Sequence, residues 1–124
     1  MDRLKFSIAQ GLLEIAAYVD MAGEDVLVLL TGGRPHIGAV GIAQVRSSLR
    51  DPQETSSTGS VFTLLGHKED FIAKKMAEDL SKKLRRNVVV VAGMHWDDLR
   101  EQDIHSVIRL CRKIEEEIAA ALTI

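Results

Sequence analysis

Three segments of this chain carry a histidine at a predicted element boundary: GGRPHIG (residues 32–38), LLGHKED (64–70) and AGMHWDD (92–98). An imidazole can donate or accept a hydrogen bond, ligate a metal, or exchange a proton near neutral pH. In the first segment, Gly32 and Gly33 permit backbone shapes that other residues resist. Pro35 sets its own φ and biases Arg34 to an extended shape. The segment either offers Arg34 and His36 to an anion or is a plain glycine-rich turn. It has neither Rossmann nor P-loop spacing. In the second segment a strand passes through Gly66 into a helix, and a helix amino terminus attracts anions. His67 and Lys68 add donors there. Alternatively, Glu69 and Asp70 already satisfy the helix dipole in its first turn and compete with any phosphate. In the third, His95 and the sole tryptophan, Trp96, end an apolar run. They either stack on a flat ligand, or Trp96 caps the core and Asp98 starts the next helix.

Metal and nucleophile chemistry rank lower. His36, His67 and His95, or two of them with Asp97, form the ligand count of a catalytic zinc site. They lie about thirty residues apart, however, and no HExxH or CxxC pattern accompanies them. No GxSxG elbow is present, and the serines have no evident partner base. His105 lies between the apolar positions of the last helix and reads as a surface residue.

These side chains must be positioned by one domain, because 124 residues suit a single core. Leu4, Phe6 and Ile8 alternate with polar neighbours, as do Leu13, Ile15, Ala17, Val19 and Met21, which predicts strands. A turn at residues 22–25 leads into VLVLLT and makes a hairpin. HIGAVGIAQV is a further strand in which Gly38 and Gly41 mark a bulge or a close backbone approach. The polar stretch 47–60 reads as a flexible loop, and VFTLLG as the fifth strand. Lys68 to Leu84 has helical spacing, NVVVVAGM reads as a strand buried on both faces, and Asp98 with Glu101 resembles a capping box for the closing helix. The expected fold is α+β: a mostly antiparallel sheet of about six strands with two helices packed on it, spanning residues 1–124 as one domain. Strand ends on one side of a sheet are where small domains build sites, so the three histidine segments are expected to converge.

Charge and composition narrow the function. There are 16 basic and 18 acidic residues, for a net charge of -2, and no basic stripe. A nucleic-acid partner therefore has no electrostatic footprint. The cluster Lys82, Lys83, Arg85 and Arg86 reads as the solvated end of a helix. The single cysteine, Cys111, allows no intrachain disulfide and falls on an apolar helix face. No apolar run approaches transmembrane length. The expectation is a cytoplasmic protein with no nucleic-acid or membrane partner.

GGRPHIGAVGIAQ, LLGHKED and VVVVAGMHWDDL together resemble the prenylated flavin chaperone LpdD-like domain, the small accessory component of gallate-decarboxylase-type systems, related to proteasome assembly chaperones. The resemblance covers nearly the whole chain, and PHIGA and GHKED are its specific part. It implies an assembly-chaperone-like domain, homodimeric, that helps deliver or retain prenylated flavin mononucleotide (prenylated FMN), or FMN itself, for a UbiD-like decarboxylase subunit. It implies a non-catalytic protein with Arg34, His36, Gly66, His67, Lys68, His95 and Trp96 as cofactor-binding residues and no catalytic or metal residues. Unpaired strand edges also favour the dimer. Two other readings stand beside it: a pure protein-assembly chaperone without ligand, and a small metal-dependent enzyme using His36, His67 and His95.

Overall fold

Alternation of apolar and polar residues builds the first half of the chain, as the sequence predicts. In the computed structural model, which describes residues 3–64 and 69–123, β1 (Leu4–Gln10), β2 (Leu13–Ala22) and β3 (Asp25–Gly33) form two successive antiparallel hairpins. Leu13, Ile15, Ala17 and Val19 are buried on one face of β2, while the alternate residues are more exposed.

A third antiparallel hairpin joins β4 (Ala39–Ser47) to β5 (Thr55–Thr63). Here the structure corrects the expectation from sequence. The polar stretch 47–60 is not one long loop: Ser47 pairs with Thr55, Val45 with Ser57, and only residues 48–54 connect the strands. The reason is chemical. Backbone pairing asks nothing of the side chains, threonine suits a strand that is half in water, and Gly59 leaves room for the Glu78 side chain of the helix above. Two side-chain bonds hold it: Arg46 Nε donates to Thr58 Oγ1 at 2.6 Å, and Ser57 Oγ donates to the Glu78 carbonyl at 2.8 Å. His36, Ile37 and Gly38 fall outside β4, although the apolar run is expected to start at His36.

The apolar run at 88–95 becomes β6 (Val88–His95), inserted between β3 and β4. It runs parallel to β3 and antiparallel to β4, giving a six-stranded sheet of order β1-β2-β3-β6-β4-β5. All other pairings are antiparallel. The sequence reads this strand as buried on both faces, but only one face is covered, because both helices lie on the same side of the sheet: Val88 and Val90 are buried, while Val89 and Val91 on the helix-free face are half-buried.

Two helices cover one face. α1 (Glu69–Leu84) lies over β4, β5 and β6; α2 (Glu101–Leu122) lies over β1 and β2 and against α1. Ile15, Leu30, Leu80, Ile114 and Ile118 are fully buried between helices and sheet. The cap of α2 lies two residues beyond Asp98, which has φ 57 and sits in a turn. Arg100 is the cap, and the Asp103 carboxylate accepts its backbone N–H at 3.1 Å, so the expected Asp98–Glu101 box is displaced.

The basic end of α1 is not wholly solvated. Lys83 Nζ reaches across to Glu115 Oε2 at 2.8 Å. Burial pushes the Glu115 carboxyl up from its usual range, and its hydrogen bond to Glu115 holds Lys83 above the ordinary lysine value. This clasp joins the later turns of both helices, so the helices run side by side with both amino termini at one end of the molecule. That is also the end where β3 and β6 finish. No helix of the described residues is long and apolar enough to cross a membrane.

Candidate functional site

Segment 34–38 runs alongside the end of β6 without being a strand. The Arg34 N–H donates to the His95 carbonyl at 2.9 Å and the Gly38 N–H to the Ala92 carbonyl at 2.9 Å. The Leu64 N–H, just after β5, donates to the Gly38 carbonyl at 2.8 Å. The first and third histidine segments therefore meet, as expected, and the end of β5 joins them.

The residue that ties them together is Glu69, the first of α1. It is only 6% exposed. Its Oε1 accepts the Met94 N–H at 3.2 Å and lies 3.3 Å from His36 Nε2. Its Oε2 is buried and has no partner among the described residues. The carboxylate does sit in the first turn, where it suits the helix dipole. Sequence alone assigns it that role and no other. The structure adds that it faces inward and bonds across to β6 and to His36.

Two glycines make that approach possible. A Cβ on Gly38 would lie 1.4 Å from Glu69 Oε2, and a Cβ on Gly93 would lie 1.4 Å from the His36 carbonyl oxygen. The close approach expected at Gly38 is thus to a carboxylate, and that expected at Gly41 is to the Ala73 backbone of α1, 2.4 Å from where a Cβ would stand.

Nearer the solvent, Asp97 Oδ1 receives Arg34 Nη2 at 3.0 Å and His95 Nε2 at 3.2 Å. Trp96 lies flat against the chain where β3 ends. A Cβ on Gly32 would stand 2.6 Å from the indole ring, and Gly33, at φ 63, would collide with the His95 carbonyl if it carried a side chain. Trp96 is half-buried and packs on the core. It also forms one wall of a cavity.

That cavity, about 630 Å³, opens between the amino-terminal turns of α1 and α2 and the end of β6. Its walls are mainly Ile72, Met94, Trp96, Leu99, Ile104, Val107 and Ile108, with Thr63, Glu69, Asp70 and His95 as the polar members. The size and the apolar lining with a few polar groups are those of a small-molecule site. Ile104 and Ile108 are core residues by their spacing. They are half-buried and line the cavity. Nothing in sequence spacing marks Leu99.

Of the candidate binding residues, Arg34, His36, His95 and Trp96 gather at this end; Gly66, His67 and Lys68 lie outside the described residues. His95 and Trp96 line the cavity, whereas Arg34 and His36 hold its surroundings through Asp97 and Glu69. His105 is exposed on α2, as expected. Among the described residues, no group of three or more His, Cys, Asp or Glu is arranged to hold a metal ion. Cys111 is buried, and burial pushes its thiol up to about 12, which leaves it protonated and unreactive at neutral pH.

Comparison with known proteins agrees with this fold. Protein LpdD of Lactiplantibacillus plantarum is 25% identical over 118 residues, which cover 94% of this chain and 83% of that protein. A solved structure of a chaperone complex for yeast 20S proteasome assembly shares the fold, with a TM-score of 0.61 at 13% identity over 98% of each chain. Residues 9–123 match the family model of the prenylated flavin chaperone LpdD-like domain, and the chain belongs to that family.

Proposed function

We propose that this protein is a non-catalytic accessory chaperone that receives prenylated FMN and delivers or retains it for a UbiD-like decarboxylase. The observation that carries this reading is the apolar cavity beside Trp96. A flat ring system with an aliphatic substituent matches walls of Ile72, Met94, Leu99 and Ile108. Trp96 and His95 are the residues that would face the ring. The cofactor supplies an electron-accepting ring to the decarboxylase; in this chain the side chains only bind, orient and exclude water. The non-catalytic reading is supported by how the polar groups are used. Arg34 and His95 are engaged by Asp97, His36 by Glu69, and the Cys111 thiol is held protonated.

Trp96 is the only tryptophan, so its emission reports this wall alone. Titration with FMN is expected to quench or shift that emission. No change at about millimolar ligand, where even weak binding saturates, would sink the ring-stacking placement.

We also propose that the chain is a homodimer that pairs through the helix-free face of the sheet, and that it works in the cytoplasm. On that face Leu27, Ile42 and Phe62 are exposed, at 40%, 51% and 75%, and register places Val89 between Leu27 and Ile42. An apolar row shared by neighbouring strands marks an interaction surface. Light scattering at about 100 μM is expected to give the dimer mass, and Ile42→Glu to give the monomer with unchanged circular dichroism. A monomeric parent protein at that concentration rules the pairing out.

A further inference from the structure

We infer that the two helical walls of the cavity differ in kind: α1 is fixed, and the amino-terminal half of α2, residues 101–109, swings on its buried carboxy-terminal half to admit and release a ligand. What the motion admits rests on the cavity reading above. The motion itself is a property of the ligand-free protein.

α1 is held along its length. Ile72, Ala73, Met76 and Ala77 are buried, beginning in its first turn. The Glu69 carboxylate accepts the Met94 N–H of β6, the Ala73 backbone lies against Gly41 of β4, and the Glu78 carbonyl accepts the Ser57 hydroxyl of β5. Shifting this wall breaks bonds to two strands and strips packing from a third, and a buried donor left without its acceptor is costly.

α2 is held at one end. Leu110, Ile114 and Ile118 are buried in the core, and Glu115, itself buried, receives Lys83 of α1 at 2.8 Å. None of residues 101–106 is buried. Val107 is the first buried position, and Ile104 and Ile108 on either side of it line the cavity. Among the described residues, the one side-chain bond from 101–109 to a strand or to the other helix is Arg109 Nη2 to Gln10 Oε1 at the end of β1. A second, smaller hollow follows beyond Ile72 and Ile108, edged by Lys75, Asp79, Arg112 and Glu115, so the helices also stand apart between the cavity and the Lys83–Glu115 clasp. Few buried contacts and few bonds to neighbours place a segment at the low-stability end of a fold.

The chain entering α2 can follow such a movement. Trp96 packs over Gly32 and stays with the sheet, whereas Asp98, between Trp96 and the helix, turns at φ 57. Residues at the end of an element absorb the dihedral change when a helix tilts. At about 1.5 Å per residue, Glu101 stands about 13 Å from Leu110. A tilt of about 15° at Leu110 moves the first turn by about 3 Å, close to the contact thickness of an aromatic ring.

Backbone hydrogen exchange of the intact protein, read residue by residue by NMR, tests this. Residues 105–108 of α2 and 73–76 of α1 lie past the first four N–H groups of their helices, so each donates within its helix. After correction for intrinsic rates, 105–108 are expected to exchange at least about tenfold faster than 73–76 or 114–118. Gln10→Ala, which removes the tether to β1, is expected to speed 105–108 about threefold further and leave the other two sets unchanged. Saturating FMN is expected to slow 105–108 by at least about threefold. Equal exchange in the two helices, or acceleration of all three sets together by Gln10→Ala, overturns the inference. So does FMN that binds and protects 73–76 while leaving 105–108 unchanged. FMN that does not bind sinks the flavin reading, while the contrast between the helices of the free protein still supports the moving wall.

Discussion

Gly93→Ala is expected to destabilise this protein more than any other single methyl group added to it. Gly93 lies in β6, where it pairs with Thr31 of β3. A Cβ there would stand 1.4 Å from the carbonyl oxygen of His36, 2.3 Å from its carbonyl carbon and 3.1 Å from its nitrogen. All three are backbone atoms, so no rotamer change relieves the clash. Either β6 or segment 34–38 must move. Segment 34–38 is pinned on both sides of the clash, by the Arg34–His95 and Gly38–Ala92 backbone bonds. Moving it also pulls His36 away from Glu69. Overpacking of a rigid site together with loss of backbone pairing is expected to cost about 3–4 kcal/mol. Urea denaturation measures this directly. A loss under about 0.5 kcal/mol would mean that the two segments are not in backbone contact.

Glu69→Ala carries the second-largest expected effect. The substitution leaves the Met94 N–H without its acceptor in a buried position and opens a space where the carboxylate stood. An orphaned buried donor costs about 1–3 kcal/mol, and the lost packing adds to it, for a total of about 3 kcal/mol. Glu69→Gln keeps an oxygen for Met94 and loses the charge facing His36, so about 1 kcal/mol is expected. The contrast between the two variants is the informative quantity. If Glu69 served only the helix dipole, both would cost the same, about 0.5 kcal/mol, and both would become milder in salt. Thermal unfolding of the two variants at low and high salt separates these outcomes.

Much of this architecture is legible in the sequence, and the parts that are not fail for identifiable reasons. β1 and β2 announce themselves because one face of each meets the core and the other does not, which writes period-two alternation into the residues, and β3 is read from its apolar run after a turn. β6 and both helices are equally plain. β5 is not. It is an edge strand rich in serine and threonine, and its place is determined by hydrogen bonds from β4, which leave no mark in hydropathy. The start of α2 is shifted for a similar reason. Asp98 has the composition of a cap, but a φ of 57 puts it in a turn, and Asp103 caps the backbone of Arg100 instead.

The site divides along the same line. Residue types alone single out the candidate segments: glycines where chains must touch, and histidines and a tryptophan where strands end. The family resemblance follows from those same local patterns. What each residue does there is decided only when segments about thirty to sixty residues apart are brought together. Glu69 reads locally as a dipole partner; it becomes the buried tie between α1, β6 and His36 because the insertion of β6 between β3 and β4 sets Met94 and His36 above the helix start. Arg34 reads as an anion receptor and is taken up by Asp97. Ile104 and Ile108 read as core and become cavity wall. Local sequence thus determined most of the elements and which glycines and segments are candidates for contact, because those depend on periodicity and on steric limits within a few residues. The partner of each polar group, and the existence of the cavity, were decided by tertiary structure, because charge pairing and enclosed volume are properties of groups that only packing brings within reach.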